Sequence, residues 1–170
     1  VQRFLFSSSC IMYGMADADV VTEDSPLDPQ TEYALSKVKG ERAISALAGD
    51  GFSPTFLRNG TVYGMSPRMR FDTVLNDLMG TALTTGKVVL YSDGKPWRPV
   101  VHVKDVCQAF IAGLEAPPEL VGGKAFNVGI PDGNFTVRDL AKAAQRSVPG
   151  SDLVFLNEHT DPRTYRVSFN

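Results

Sequence analysis

Tyr33 and Lys37 stand four residues apart in the run Tyr33-Ala34-Leu35-Ser36-Lys37. On a helix that spacing puts both side chains on one face. A phenol holds its proton to about pH 10, and a fixed ammonium beside it favours the phenolate. A tyrosine so placed can take a proton from an alcohol, or return one, near neutrality. The serine run Ser7-Ser8-Ser9 lies about two dozen residues upstream, and a hydroxyl there could hold the same substrate oxygen. Together these groups could move a hydride to or from a carbinol carbon. The same pair also suits an exposed helix whose tyrosine covers the core edge and whose lysine is solvated. The serines equally suit a turn. The residues around them have to decide.

The elements that must position these groups read as strands alternating with helices. Residues 3–8 predict a short buried strand, and 7–14 a loop at its carboxyl end, where open α/β sheets bind ligands. A polar loop over 15–31, with Pro26 and Pro29, leads to a helix that Thr31 caps and that runs to about Ala48 before Gly49-Asp50-Gly51. In that helix Leu35, Val38, Ala46 and Leu47 supply the apolar positions, and Lys37, Lys39, Glu41 and Arg42 the polar ones. Residues 52–58 predict the next strand and 59–64 its exit loop, which makes one right-handed crossover of a parallel sheet. A basic loop over 66–70 follows, then a helix over 72–84 and a strand over 88–91. After the Asp93-Gly94 turn, residues 100–103 lead into a helix over 105–115, stopped by Pro117-Pro118. Residues 125–128 predict a strand. Thr136 and Asp139 form a capping-box-like start to a helix reaching about Ser147. A last strand over 153–156 precedes Asp161-Pro162-Arg163-Thr164-Tyr165. The alternation predicts an α/β fold with a mainly parallel sheet.

Composition bounds the function classes. With 170 residues the chain can bury one sizeable core, and its net charge of −2 offers no basic field for nucleic acid. No apolar run approaches a membrane span. The two cysteines, Cys10 and Cys107, lack metal-ligand spacing, so no metal is expected, and they suit a reducing, cytoplasmic setting. The chain starts at Val1 inside a strand-like run, and it reads as a fragment of a longer protein.

Several segments, in order, resemble the extended short-chain dehydrogenase/reductases, and within them the nucleotide-sugar epimerases and dehydratases. Ser7-Ser8-Ser9-Cys10-Ile11-Met12-Tyr13-Gly14 is similar to that family's serine loop ending in Tyr-Gly. Tyr33 to Lys37 resembles its catalytic Tyr-x-x-x-Lys. Leu57-Arg58-Asn59-Gly60-Thr61-Val62-Tyr63-Gly64 resembles its next strand exit, and Arg98-Pro99-Val100-Val101-His102-Val103-Lys104-Asp105 its Arg-x-x-x-His-Val-x-Asp element. Phe126-Asn127-Val128-Gly129 resembles the last strand of its nucleotide-binding sheet.

The resemblance implies the C-terminal half of a doubly wound, Rossmann-like parallel sheet with a smaller α/β substrate-binding region. Residues 1–66 would carry the catalytic half of the dinucleotide-binding domain. Residues 67–170 would be mainly substrate-binding, with 100–129 returning to the nucleotide-binding sheet. It implies catalytic roles for Ser9, Tyr33 and Lys37, and cofactor contacts from Tyr33, Lys37 and the backbone at Gly60. Substrate would be held by Ser9, Thr61, Arg98 and Arg163, the guanidinium fork suiting a diphosphate; Arg68 and Arg70 are weaker candidates. His102 and Asp105 would orient a strand and cap a helix. The implied cofactor is NAD, with NADP as alternative; the implied partners are a nucleoside-diphosphate sugar and a second copy of the chain.

Three departures sharpen this. No glycine-rich Gly-x-x-Gly-x-x-Gly turn occurs, so the resemblance places the adenosine-binding half upstream. Thr61 stands where many relatives carry a substrate-binding Asn. Where the family's 4,6-dehydratases carry Asp-Glu after the catalytic Ser/Thr, this chain has Cys10-Ile11, with Cys10 read as structural. The implied reaction is therefore epimerisation at a ring carbinol, C4, with a reductase or dehydrogenase of a related sugar or ketone as alternative. Dehydration and a catalytically silent sugar-nucleotide binder rank below both.

Overall fold

The computed structural model describes residues 2–15, 19–49, 51–156 and 163–169. The expectations that fall on Val1, Asp50, Asp161 and Pro162 lie outside the described residues. The elements in order are β1 (Arg3–Ser9), a 3-10 turn (Cys10–Tyr13), α1 (Glu32–Ser45), β2 (Ser53–Asn59), β3 (Thr61–Tyr63), α2 (Val74–Thr85) and β4 (Lys87–Leu90). After them come β5 (Trp97–His102), α3 (Val103–Glu115), α4 (Pro118–Val121), β6 (Ala125–Val128), β7 (Asn134–Thr136), α5 (Val137–Ser147) and β8 (Asp152–Phe155).

The strands form an all-parallel sheet in the order β1-β2-β6, a sheet β3-β5-β7, and a parallel pair β4-β8. The fold is α/β with a Rossmann-like parallel arrangement. It is not parallel throughout, because β5 pairs with β7 antiparallel. β2 is buried along nearly its whole length, as expected of a central parallel strand covered on both faces. In β1 and β2 the register sets Ser9 beside Asn59 at the carboxyl ends.

Several boundaries differ from the sequence expectation. β1 continues through Ser9, and the following loop is a 3-10 turn. α1 ends at Ser45, not near Ala48. Glu41, expected on its polar face, is buried at 7% exposure, while Leu47 is 70% exposed. Residues 61–63, expected in a loop, form β3 by pairing with β5. A Cβ at Gly60 would sit 3.2 Å from the Pro99 carbonyl oxygen. Pro118 starts the short helix α4 instead of only ending α3, as a proline in a first helical turn can.

Local chemistry explains the well-matched elements. Thr31 caps α1 through a hydrogen bond from Ala34 N to its Oγ1 (3.1 Å). The buried positions Ala34, Val38 and Glu41 follow helical spacing. Gly40 allows close approach to β1: a Cβ there would meet the Phe6 ring at 2.9 Å. α5 starts with a complete capping box between Thr136 and Asp139, and its Leu140, Ala141 and Ala144 pack with Leu78, Ala82, Val88, Leu90 and Val100.

Candidate active site

A cleft of about 850 Å³ opens at the carboxyl ends of β1 and β2 and extends to the start of α2 and the end of β4. Ser9, Tyr33, Gly60, Thr61, Arg98 and Arg163 all line it. Six of the seven residues singled out from the sequence therefore meet in one depression, although they come from segments spread over more than 150 positions. Lys37 stands behind that wall, one turn along α1 from Tyr33.

The positions of these groups follow from local contacts. Tyr33, in the first turn of α1, is 52% exposed, so its ring faces the cleft instead of packing in the core. The Lys37 ammonium donates to the Ser7 carbonyl oxygen (2.8 Å). It lies 5.5 Å from the Tyr33 ring centre and 4.9 Å from that of Phe6. A cation above aromatic faces is held by their negative π clouds. Ser9 is the N-cap of the 3-10 turn, its Oγ accepting from Ile11 N (3.3 Å). That bond uses one lone pair and leaves the hydroxyl proton available. Asn59, beside Ser9, donates through Nδ2 to Ser7 Oγ (3.2 Å) and the Ser8 carbonyl (3.3 Å). Its own Oδ1 is buried with no hydrogen-bond partner among the described residues, at a cost of about 1–3 kcal/mol.

Cys10 follows Ser9 directly and points inward. It is fully buried, its Sγ donates to the Arg58 carbonyl oxygen (3.0 Å), and burial pushes the thiol far above its usual range. Ile11 lines the cleft. The two positions after Ser9 thus present a sealed thiol and an apolar side chain, neither of which can exchange protons with a substrate.

At the far end the arginines differ. Arg98 Nη1 donates to the Trp97 and Arg163 carbonyl oxygens, both at 2.7 Å, so Arg98 ties the segment carrying Arg163 to the cleft wall. Arg166 lies over the Trp97 ring, 5.2 Å from its centre. Arg68 and Arg70 also line the cleft. Arg70 makes a bidentate pair with Asp72 (2.9 and 2.7 Å), which lowers the Asp72 carboxyl and raises the guanidinium. His102 caps α3, its Nδ1 accepting from Lys104 N (3.2 Å).

Sequence reading missed a buried polar network beneath the site. The Arg58 guanidinium donates to Glu41 Oε1 (3.1 Å) and Oε2 (2.8 Å), to Tyr13 Oη (3.2 Å) and to the Glu23 carbonyl oxygen (2.9 Å). Tyr13 Oη donates to Asn127 Oδ1 (2.7 Å), and Asn127 N to Glu23 Oε1 (2.7 Å). Burial, partly offset by the Arg58 hydrogen bond, pushes the Tyr13 phenol up to about 12, so it stays protonated. Hydrogen bonds to Glu41 and Tyr13 outweigh desolvation and raise Arg58 further. The available signal was the stripe Tyr33, Lys37, Glu41 at i, i+4, i+8, which continues the Tyr33 and Lys37 face of the helix inward.

Among the described residues no group of three or more His, Cys, Asp or Glu could hold a metal ion, and no helix is long and apolar enough to cross a membrane.

Comparison with known proteins bears on this geometry. The model of the NAD dependent epimerase/dehydratase family matches residues 1–129. The UDP-glucose 4-epimerase of Bacillus subtilis (strain 168) is 27% identical over 172 residues, which covers 91% of this chain and 50% of that protein. Among solved structures, TunA, a novel NAD dependent-NDP-hexosamine 5,6-dehydratase involved in tunicamycin biosynthesis, superposes with a TM-score of 0.85 at 27% identity, over 99% of this chain and 55% of its own. MoeE5, solved in complex with UDP-glucuronic acid and NAD, superposes with a TM-score of 0.82 at 28% identity, over 99% and 56%. The chain spans about half the length of the proteins it matches.

Proposed function

The chain belongs to the NAD dependent epimerase/dehydratase family, and from that membership we propose that it supplies the catalytic and substrate-binding part of an epimerase. The substrate is a nucleoside-diphosphate sugar, and the reaction inverts a ring carbinol, C4, by transient oxidation and re-reduction. The activity is that of the whole protein. The observation that carries the reading is the meeting of Ser9 and Tyr33 in one cleft, with the Lys37 ammonium behind the tyrosine and no proton-exchanging side chain at the two positions after Ser9.

The residues fit a nicotinamide dinucleotide of the family's kind. The cleft lies at the carboxyl ends of parallel strands, where such folds take ligands, and its wall at Gly60 is bare backbone. NAD, when bound, supplies a reversible hydride acceptor for the carbinol carbon. Tyr33 takes the hydroxyl proton as the carbinol is oxidised and returns it on reduction. Lys37 stands beside that phenol and binds the ribose. Ser9 uses its free proton to hold the reacting oxygen. Thr61 contacts the sugar, and Arg98 and Arg163 hold the diphosphate end. Residues 1–66 form the catalytic part, and 67–170 the mainly substrate-binding part. The reading extends to a cytoplasmic homodimer formed through α1 and a neighbouring helix.

NMR of a UDP- or dTDP-hexose with the full-length protein and NAD tests the reaction. Expected is equilibration of the two C4 epimers without build-up of NADH. Net NADH or NADPH turnover assigns a dehydrogenase or reductase instead, and a stable dehydrated keto sugar a dehydratase. Tyr33→Phe should lower kcat by on the order of 10²–10⁴-fold, the usual worth of a positioned acid/base; full retention of turnover removes the mechanism.

A further inference from the structure

We infer that Arg58 is a positioning residue that sets the separation between Ser9 and Tyr33; the inference rests on the catalytic reading above. The two groups belong to different elements. Tyr33 is carried by α1, and Ser9 caps the 3-10 turn that ends at Tyr13. Ordinary apolar packing leaves a helix some freedom to slide or roll on a sheet. Here the fully buried apolar contact from α1 is small, Ala34 and Val38, with Leu35 and Ile44 half-buried and Gly40 set against Phe6. Directional bonds must supply the rest of the alignment; Lys37 of α1 gives one, to the Ser7 carbonyl oxygen of β1, and the others converge on one residue.

Arg58 makes those bonds in both directions. One side of its guanidinium is gripped bidentately by Glu41 of α1, two turns along the same helix face from Tyr33. Nη1 donates to Tyr13 Oη at the end of the serine turn and to the Glu23 carbonyl oxygen. The Arg58 carbonyl oxygen accepts from Cys10 Sγ at the start of that turn. Through side chain and backbone, one residue is bonded to the helix of the acid/base and to both ends of the turn that Ser9 caps. Arg58 and Glu41 are each 7% exposed.

Stability alone is a weak account of such a pair. A buried ion pair can often be exchanged for apolar residues of similar volume without loss of stability. What an apolar pair cannot supply is the fixed fork geometry of a guanidinium. Alignment matters to rate, because displacement of reacting groups by about 1 Å can cost on the order of 100-fold.

The test is Tyr13→Phe in the full-length protein. It removes the hydroxyl that joins the guanidinium to the turn and keeps the ring that packs near Tyr165 (6.4 Å between centres). Arg58→Met serves less well, since it strands the buried Glu41 carboxylate and endangers folding. Expected for Tyr13→Phe is kcat lowered by on the order of 10- to 100-fold, KM within about twofold and NAD affinity unchanged. Its crystal structure should show the 3-10 turn displaced relative to α1. An unchanged kcat per folded enzyme, or a turn and helix that superpose on the parent, overturns the inference. Should Tyr33→Phe keep full turnover, the catalytic reading fails separately, and the crystal structure of Tyr13→Phe still decides whether Arg58 sets the separation.

Discussion

Cysteine 10 shows how much a single side chain's surroundings decide. It follows Ser9, which lines the cleft, yet it has 0% exposure and its thiol is bonded to a backbone carbonyl. Burial raises its pKa far above the usual thiol value, so the nucleophilic thiolate is not populated at neutral pH. Cys107, on α3, is exposed. With iodoacetamide at pH 8, peptide mapping should find Cys107 modified in the native protein, and Cys10 only after denaturation. Equal labelling of both in the native state would show that Cys10 is accessible and would remove the argument that this position is sealed from substrate. The family resemblance alone supported a structural Cys10. It could not show the bond that keeps it inert, because the acceptor, Arg58 O, lies 48 residues away.

At the scale of elements, what was legible in the sequence was what is local. Thr31 as a helix cap and the Thr136/Asp139 capping box depend on residues three apart, and both occur as expected. The extent of β6 (Ala125–Val128) was read to the residue for the same reason. The failures are tertiary. β3 is a strand only because β5 lies beside it, and Glu41 is buried only because Arg58 of β2 meets it. The candidate site divides in the same way: the Tyr33 and Lys37 pair is visible in its spacing and the other site residues came from the family resemblance, but the Arg58 network under them came from neither. The capping box allows a quantitative check. Thr136→Ala should cost α5 about 1 kcal/mol, read from denaturant unfolding at pH 7. Bonds from Thr136, the hydroxyl first and then the backbone, hold the Asp139 carboxyl below its ordinary 3.8. A folded value below the unfolded one means that the stabilisation is present above about pH 4. It is lost as pH falls through the folded value. Asp139→Asn should therefore flatten the acid limb of the Tm-against-pH curve and change its neutral plateau less; an unaltered acid limb would show that the box contributes nothing through that charge.

At the scale of the molecule, the cleft is closed by a segment that no local pattern announces. Residues 163–169 run back across the fold, with isolated parallel bridges from Thr164 to Met15 and from Val167 to Val21. Asn134 of β7 brackets Val167 as a strand partner would: Nδ2 donates to its carbonyl oxygen (2.9 Å), and Oδ1 accepts from its N–H (2.8 Å). Arg166 adds an ion pair with Asp19 (2.9 Å). The segment carries Arg163 and Tyr165 into the cleft wall, far from Ser9 and Tyr33 in sequence and joined to the Arg98 side chain through Arg163 O. On the proposed function, loosening it should therefore act on substrate binding before it acts on Ser9 and Tyr33. Asn134→Ala removes both bonds to Val167 and leaves β5 to β8 otherwise intact, at a cost of about 1–3 kcal/mol for the partners left unpaired. The expected outcome is a several-fold higher KM for the nucleotide sugar with kcat changed less than twofold, and faster tryptic cleavage after Arg163 or Arg166. A lowered kcat at unchanged KM would mean that the segment acts on Ser9 and Tyr33, through the Tyr165 and Tyr13 rings, and not on the Arg98 and Arg163 end of the cleft.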